Sequence, residues 1–308
     1  MRTLTAILAF TLLSSVAIAQ DRNVDHGRRP TGRFAIRNAL VVQGNGTPAE
    51  GPYDIIIERN RIVDMVPLDP VALKAGSARR PAADAEIDAA GRYVLPGLIN
   101  IHAHLQKERG GLPQPYEYQF KLWLANGVTT VRDVSSGGDA REMLALKQRS
   151  AAGEIEAPRM YIYAGYGRGP AIRTAEQARA RVREVKALGV DGIKIGGMER
   201  DLMEAMEDEA KKLELPIAHH AGVEETNAWD DIRFGTRSIE HWYGVPDAAF
   251  EEGVQKFPSD YNYNDETHRF RYAGRIWREA DSIRLDRVLS AMVEANVAWN
   301  PTLVIYAA

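Results

Sequence analysis

From residue 93 onward, short apolar runs alternate with stretches that carry helix start and stop signals, and this alternation most constrains the fold. Seven such runs can be read: Tyr93 to His104, Val128–Asp133, Arg159–Ala164, Val190–Ile195, Pro216–His220, Arg237–His241 and Val297–Val304. Between them, Asp139 with Glu142 has the form of a capping box, and Gly153 closes that helix. Thr174 with Gln177 opens the next helix, which ends at Gly189; another passes through Met203 and Met206 to Leu213. A short helical link precedes Arg237, and a last helix lies near Leu285 to Ala295. Strands alternating with helices imply parallel βαβ units, in either an open sheet or a closed barrel.

The ends of the runs choose between the two. His102 and His104 end the first run, Lys194 lies at the end of the fourth, His219 and His220 end the fifth, and His241 ends the sixth. Residues i and i+2 of a strand face the same way, so His102 and His104 can offer two nitrogens to one metal ion. A bare His-x-His serves as readily as an ordinary surface or core pair; further donors at other strand ends weigh against that. In a (β/α)8 barrel the C-terminal strand ends converge on one mouth, whereas in an open sheet they are strung along an edge. Convergence argues for the barrel. His219 and His220 are adjacent, so only one of them faces the mouth. His26 and His268 sit at no strand end and read as solvated histidines.

Composition narrows the chemistry. There is no cysteine, which removes thiolate zinc sites, disulfides and cysteine nucleophiles together. Any metal must therefore sit on histidine, carboxylate or a modified side chain. A net charge of −3 supplies no basic field for nucleic acid. With 45% hydrophobic residues, 308 residues can bury a large core.

The amino-terminal third is organised differently. Residues 1–19 read as an export signal: Arg2, an apolar Leu4–Val16, and Ala17-Ile18-Ala19 in small-x-small form. The apolar part is short for a membrane span, so a periplasmic or secreted protein without a span after cleavage is expected. A polar leader covers 20–32. Residues 33–92 have a β pattern, with Phe34–Val42, Tyr53–Glu58 and Arg61–Val66 separated by Gly44-Asn45-Gly46 and Arg59-Asn60. They are expected to form a small strand-rich module ahead of a barrel domain over 93–308.

From Arg33 onward the chain resembles the amidohydrolase superfamily, in its binuclear-metal branch with imidazolonepropionase-like and prolidase-like enzymes. The resemblance rests on Leu95-Pro-Gly-Leu-Ile-Asn-Ile-His-Ala-His104, Gly127-Val-Thr-Thr-Val-Arg-Asp133, Gly192-Ile-Lys-Ile195, Ile217-Ala-His-His-Ala-Gly222 and Ser238-Ile-Glu-His241, in that order. It implies a TIM-type (β/α)8 barrel preceded by part of a composite β-sandwich. It also implies two divalent metal ions, zinc being best suited to such ligands, although manganese, cobalt and iron are accepted. His102 and His104 would hold the first ion and His220 and His241 the second. Lys194, carboxylated by carbon dioxide, would bridge them. The family spacing selects His220 over His219, which then packs against a helix or backs the site. The implied reaction is hydrolysis of an amide, peptide or lactam bond of a small molecule, such as a dipeptide or an N-acyl compound, by metal-activated water.

Two departures stand out. The family's eighth strand, with the aspartate that relays the proton, has no counterpart after Val297–Tyr306, and Asp281 and Asp286 lie too early to replace it. The expectation is a barrel lacking its last strand and a chain without catalytic residues of its own, a fragment inactive as it stands. The second departure is a long segment at 244–282, rich in aromatic residues, which is expected to act as a lid or to be a surface addition. Tyr261 and Tyr263 within it, and Tyr166 and Arg168 after the third strand, are weaker candidates for substrate contact. A deaminase or lactonase on the same scaffold, or a metal-binding remnant without catalysis, are the alternatives.

Overall fold

The computed structural model describes residues 32–134, 139–165, 171–222, 226–250, 259–262 and 265–306. The chain divides into two compact units, Met1–Pro96 and Gly97–Ala308.

The first unit is built on one sheet. Strands β1 (Arg33–Val41), β2 (Glu50–Glu58) and β3 (Arg61–Pro67) form an antiparallel meander. Helix α1 (Pro70–Lys74), capped by Asp69, leads to β4 (Ala85–Asp88) and β5 (Tyr93–Val94), both parallel to β1. Ala39, Val41, Ile55 and Ala89 are its apolar centre. Tyr93 and Val94 pair with Leu40 and Val41 here instead of starting the first barrel strand. Pro96 then follows, and a residue without an N–H cannot carry the ladder onward.

The second unit opens with β6 (Leu98–Ala103), a short hairpin of β7 (Glu108–Arg109) and β8 (Leu112–Pro113), and α2 (Tyr116–Ala125). Then come β9 (Val128–Val134), α3 (Ala140–Ala152), β10 (Arg159–Gly165), α4 (Ala175–Ala187), β11 (Gly192–Ile195), α5 (Arg200–Lys212) and β12 (Ile217–His219). The last elements are α6 (Ala228–Phe234), β13 (Ser238–Glu240), α7 (Glu266–Glu279), α8 (Ser282–Glu294) and β14 (Ala298–Asn300). Seven strands pair in parallel in the order β14-β13-β12-β11-β10-β9-β6, a nearly closed sheet that makes an incomplete TIM-type barrel. The order runs in sequence, as successive βαβ units dictate.

The register sorts side chains to two faces. Lys194, Ala218, Ser238 and Ala298 stand abreast on β11 to β14, and one residue on so do Ile195, His219, Ile239 and Trp299. Ile195 and Ile217 lie with Val182, Met203 and Met206 in the main core, so the second row faces the helices and the first faces the barrel interior. All four residues of β11 are buried, as expected for a strand covered on both faces.

The predicted helix ends hold with two adjustments. Asp139 caps α3 by accepting from the Arg141 N–H, but the expected box is not completed, Glu142 pairing with Lys107 instead, and Gly153 closes the helix at φ 74°. Thr174 accepts from the Gln177 N–H, while Gln177 Oε1 accepts from the Arg173 N–H, one residue outside the usual box. Helices α2 and α7 have no counterpart in the sequence reading. The first lacks a side-chain cap, since Pro115 precedes it, and it carries Leu122 and Leu124 exposed beside buried Phe120, which blurs its amphipathic pattern. The second falls in the long segment read as a loop, where Asp265 caps it.

Candidate metal centre

The predicted donors meet at one end of the barrel. His102 lies on β6 and His104 follows its last residue; Lys194 lies on β11; His220 and His241 immediately follow β12 and β13. Ring centroids of His102 and His104 are 5.1 Å apart, those of His102 and His241 4.5 Å, and those of His241 and His220 4.3 Å. Lys194 is buried, and its Nζ has no hydrogen-bond partner among the described residues.

Local backbone geometry aims these side chains. His241 takes a left-handed φ of 70°, a conformation that residues with a Cβ adopt only where the surroundings enforce it. Its N–H is bonded to the Asn300 carbonyl, and its Nδ1 to the Thr302 hydroxyl at 2.9 Å. The turns following His220 and His241 touch backbone to backbone. Gly222 (φ 71°) and Gly244 (φ 82°) make this possible: a Cβ on Gly222 would lie 2.5 Å from the Gly244 nitrogen. Only glycine fits such an approach.

Burial sets the protonation states. It lowers His102 and His220, brings His104 to about 4 with help from His102, and brings His241 to about 2 with help from Lys194. His104 keeps an exposed face at the rim, yet the atoms packed round it still disfavour its charge. Burial likewise brings Lys194 down to about 7, against the attraction of Glu240. At neutral pH the imidazoles carry free lone pairs and a large share of the lysine is the neutral amine. Among the described residues no three His, Asp or Glu side chains are splayed around a common point at ligand distance. The imidazoles meet edge-on or tilted, while the Tyr243 ring stacks on His220 and its hydroxyl is hydrogen-bonded to His220 Nε2.

His219 points the other way. Fully buried in the row that faces the helices, it holds Asp231 of α6 through Nδ1 at 2.7 Å, and its Nε2 has no partner among the described residues. His220 is therefore the member of the doublet beside His241. Nearby, buried Glu207 accepts from the Thr236 hydroxyl at 2.7 Å, and burial raises its carboxyl to about 8.

Sequence reasoning quoted Arg132 and Glu240 within motifs but gave them no role. Glu240 is fully buried and accepts from Ser238 Oγ at 2.7 Å, Asn300 Nδ2 at 3.0 Å and the Arg132 guanidinium, and it meets His102 Nδ1 at 2.6 Å. Burial pushes its carboxyl up, but the His102 hydrogen bond and the charges of Lys194 and Arg132 outweigh this and hold it well below the usual range. A charged residue at an inward strand position was the available signal.

Of the weaker candidates, Tyr166, Arg168 and Tyr263 lie outside the described residues. Tyr261 packs against His268 and Tyr272, and burial raises its hydroxyl to about 12. His268 belongs to the first turn of α7, not to a loop, and its Nδ1 accepts from the Asn262 N–H. Helix α7 reaches the site's edge: the Arg269 guanidinium lies 5.1 Å from the Tyr243 ring centre, and Trp277 donates to the Trp242 carbonyl.

Residues 93–267, more than half of the chain, match the family model described as "Amidohydrolase family". The chain belongs to the amidohydrolase family. An adenine deaminase from Listeria innocua is 35% identical over 86 residues, which is 25% of this chain and 14% of that protein. Among solved structures, a provisionally assigned prolidase from Bifidobacterium longum is 27% identical, with TM-score 0.55, over 68% of this chain and 54% of the other. A Xaa-Pro dipeptidase with bound methionine shares the fold at TM-score 0.53 and 18% identity, over 87% of this chain and 79% of the other. The chain thus spans about one seventh of the deaminase's length and about half of the prolidase's.

The donor set suits divalent cations of intermediate softness. Neutral imidazoles are ready ligands for zinc, and a buried amine without a partner is a group whose environment is incomplete until it reacts or is neutralised.

Proposed function

We propose that this amidohydrolase-family chain is the core of an exported, metal-dependent hydrolase of C–N bonds in small molecules. The observation that carries the proposal is the gathering of four depressed imidazoles around the unpartnered Lys194 amine. In this reading His102 and His104 hold one divalent ion and His220 and His241 another. The neutral Lys194 Nζ attacks the carbon of carbon dioxide, an electron pair moves onto oxygen, and the nitrogen releases one proton to solvent. The carbamate so formed is an anion with two oxygens, fit to lie between two cations. When bound, the ions supply Lewis acidity toward a carbonyl and a water of lowered pKa. The chain's own part is to keep the imidazoles neutral by burial and to fix His241 through Thr302. Tyr243 must release His220 Nε2 before that nitrogen can ligate.

A second reading is deamination, favoured by the local likeness to adenine deaminase. Zinc titration in bicarbonate should give two ions per chain, and a panel of dipeptides, N-acyl amino acids, lactams and adenine should identify one turned-over class. Failure to bind any zinc at micromolar concentrations would remove the proposal. Turnover of adenine alone would replace amide hydrolysis by deamination.

A further inference from the structure

Glu240 is met by four hydrogen-bond partners, Ser238 on its own strand and one residue on each of three other strands, so the acceptor sites of the buried carboxylate are filled from several directions. Oε1 takes the Arg132 guanidinium and Ser238 Oγ; Oε2 faces His102 Nδ1 and Asn300 Nδ2. Arg132 is itself tied down, donating from Nε to the Ile101 carbonyl at 2.6 Å and from a terminal nitrogen to Ser238 Oγ at 3.0 Å. Each donor on the Oε1 side is therefore oriented, and a guanidinium cannot accept. An ionised carboxylate only accepts, so the 2.6 Å contact at Oε2 has His102 donating from Nδ1, which leaves the Nε2 lone pair free.

We propose that Glu240 is a positioning residue that locks His102 in the Nδ1–H tautomer and so presents Nε2 as a metal ligand, with Arg132 fixing which way the carboxylate can be read. The inference rests on the metal-centre reading above and adds the device that prepares it. A carboxylate or carbonyl on the far nitrogen orients a histidine ligand and raises its basicity, and losing it lowers metal affinity by roughly 10–100-fold.

Glu240→Gln makes a directional prediction. Arg132 demands an acceptor, so the new amide oxygen must face the guanidinium and the NH2 must face His102. The ring then turns to the Nε2–H tautomer, which cannot ligate. Zinc affinity of the full chain, measured by chelator competition, should fall roughly 10–100-fold. The 15N shifts of His102 in the metal-free chain should exchange between its two nitrogens. In the double variant Arg132→Met/Glu240→Gln, the amide is free to reverse and offer oxygen to His102, so affinity should recover by about tenfold over the single variant. A merely structural role predicts instead a further loss in the double variant and no tautomer change. An Nε2–H tautomer for His102 in the metal-free wild type would overturn the inference, as would unchanged affinity in Glu240→Gln. The wild-type 15N measurement decides the matter even if the variants do not fold. If the wild type binds no zinc at all, the functional proposal falls, while the 15N spectrum still decides the role of Glu240.

Discussion

The two units bury charge in opposite ways. In the first, Asp54 is fully buried and every side of it is met: Arg37 at 2.7 Å, Arg80 at 2.5 and 2.8 Å, and the Asn38 N–H at 3.3 Å. Burial pushes the Asp54 carboxyl up, and the two guanidiniums more than reverse it. In the second, Lys194 is also buried, but its Nζ has no hydrogen-bond partner among the described residues, and burial moves its pKa toward neutrality. A closed network of buried charge is a structural part. A buried donor left open is held ready for something the chain does not itself supply.

The largest effect should come from breaking the closed network. Asp54→Ala takes the shared carboxylate from two guanidiniums, leaving almost wholly buried Arg37 with only Glu86 and the Pro81 carbonyl and Arg80 with the Asn38 side chain, and should cost about 3 kcal/mol in urea denaturation. A loss below about 1 kcal/mol would make the network no more than surface pairing.

Treating Lys194 the same way should give the opposite sign. Lys194→Met removes an unsatisfied buried donor at similar volume, so the metal-free chain should gain about 1–3 kcal/mol while zinc stoichiometry drops. Destabilisation together with unchanged zinc binding would show that the lysine is structural after all.

The pH dependence sharpens the contrast. Lys194 titrates near 7 when folded and near 10.5 when unfolded, so the unfolded chain holds the extra proton between those values. Its contribution to stability rises with pH across that window, by at most about 1.4 kcal/mol per unit. Glu207, about 8 folded against 4.5 unfolded, keeps its proton in the folded state and contributes stability that falls from about pH 4.5 to 8. The depressed histidines add stability that rises toward pH 6.5, so the Glu207 part is read as a difference. Glu207→Gln, which can keep the Thr236 hydrogen bond, should gain on the wild type from pH 5 to 8 in melting curves of the metal-free chain. A difference between the two that stays constant over that range would contradict the Glu207 assignment.

The smallest effect concerns the segment beyond β13. If its described part, packed through Tyr261 on α7, shapes the substrate site, Tyr261→Ala should raise KM several-fold with kcat little changed. Unchanged kinetics would leave it a surface addition.

Much of this was legible in the chain itself. The alternation of strands and helices, the capping residues Asp139 and Thr174, and the strand-end histidines are local signals, each readable within a few residues. Helix α7 was missed although Phe270, Ala273, Ile276 and Trp277 keep a helical period, because it lies within the long segment taken as an insertion, and the assignment of Tyr93 and Val94 was missed because β5 is a two-residue strand defined only by its partner. The sequence alone determined which chemistries were available: no thiolates, histidines at strand ends, and one lysine among them. Only the tertiary structure decided which of His219 and His220 turns inward, that Glu240 grips His102 from 138 residues away, and that the Lys194 amine is driven toward neutrality. Residue type and spacing are carried along the chain, whereas register, burial and the field of distant charges exist only once the strands have closed around a common interior.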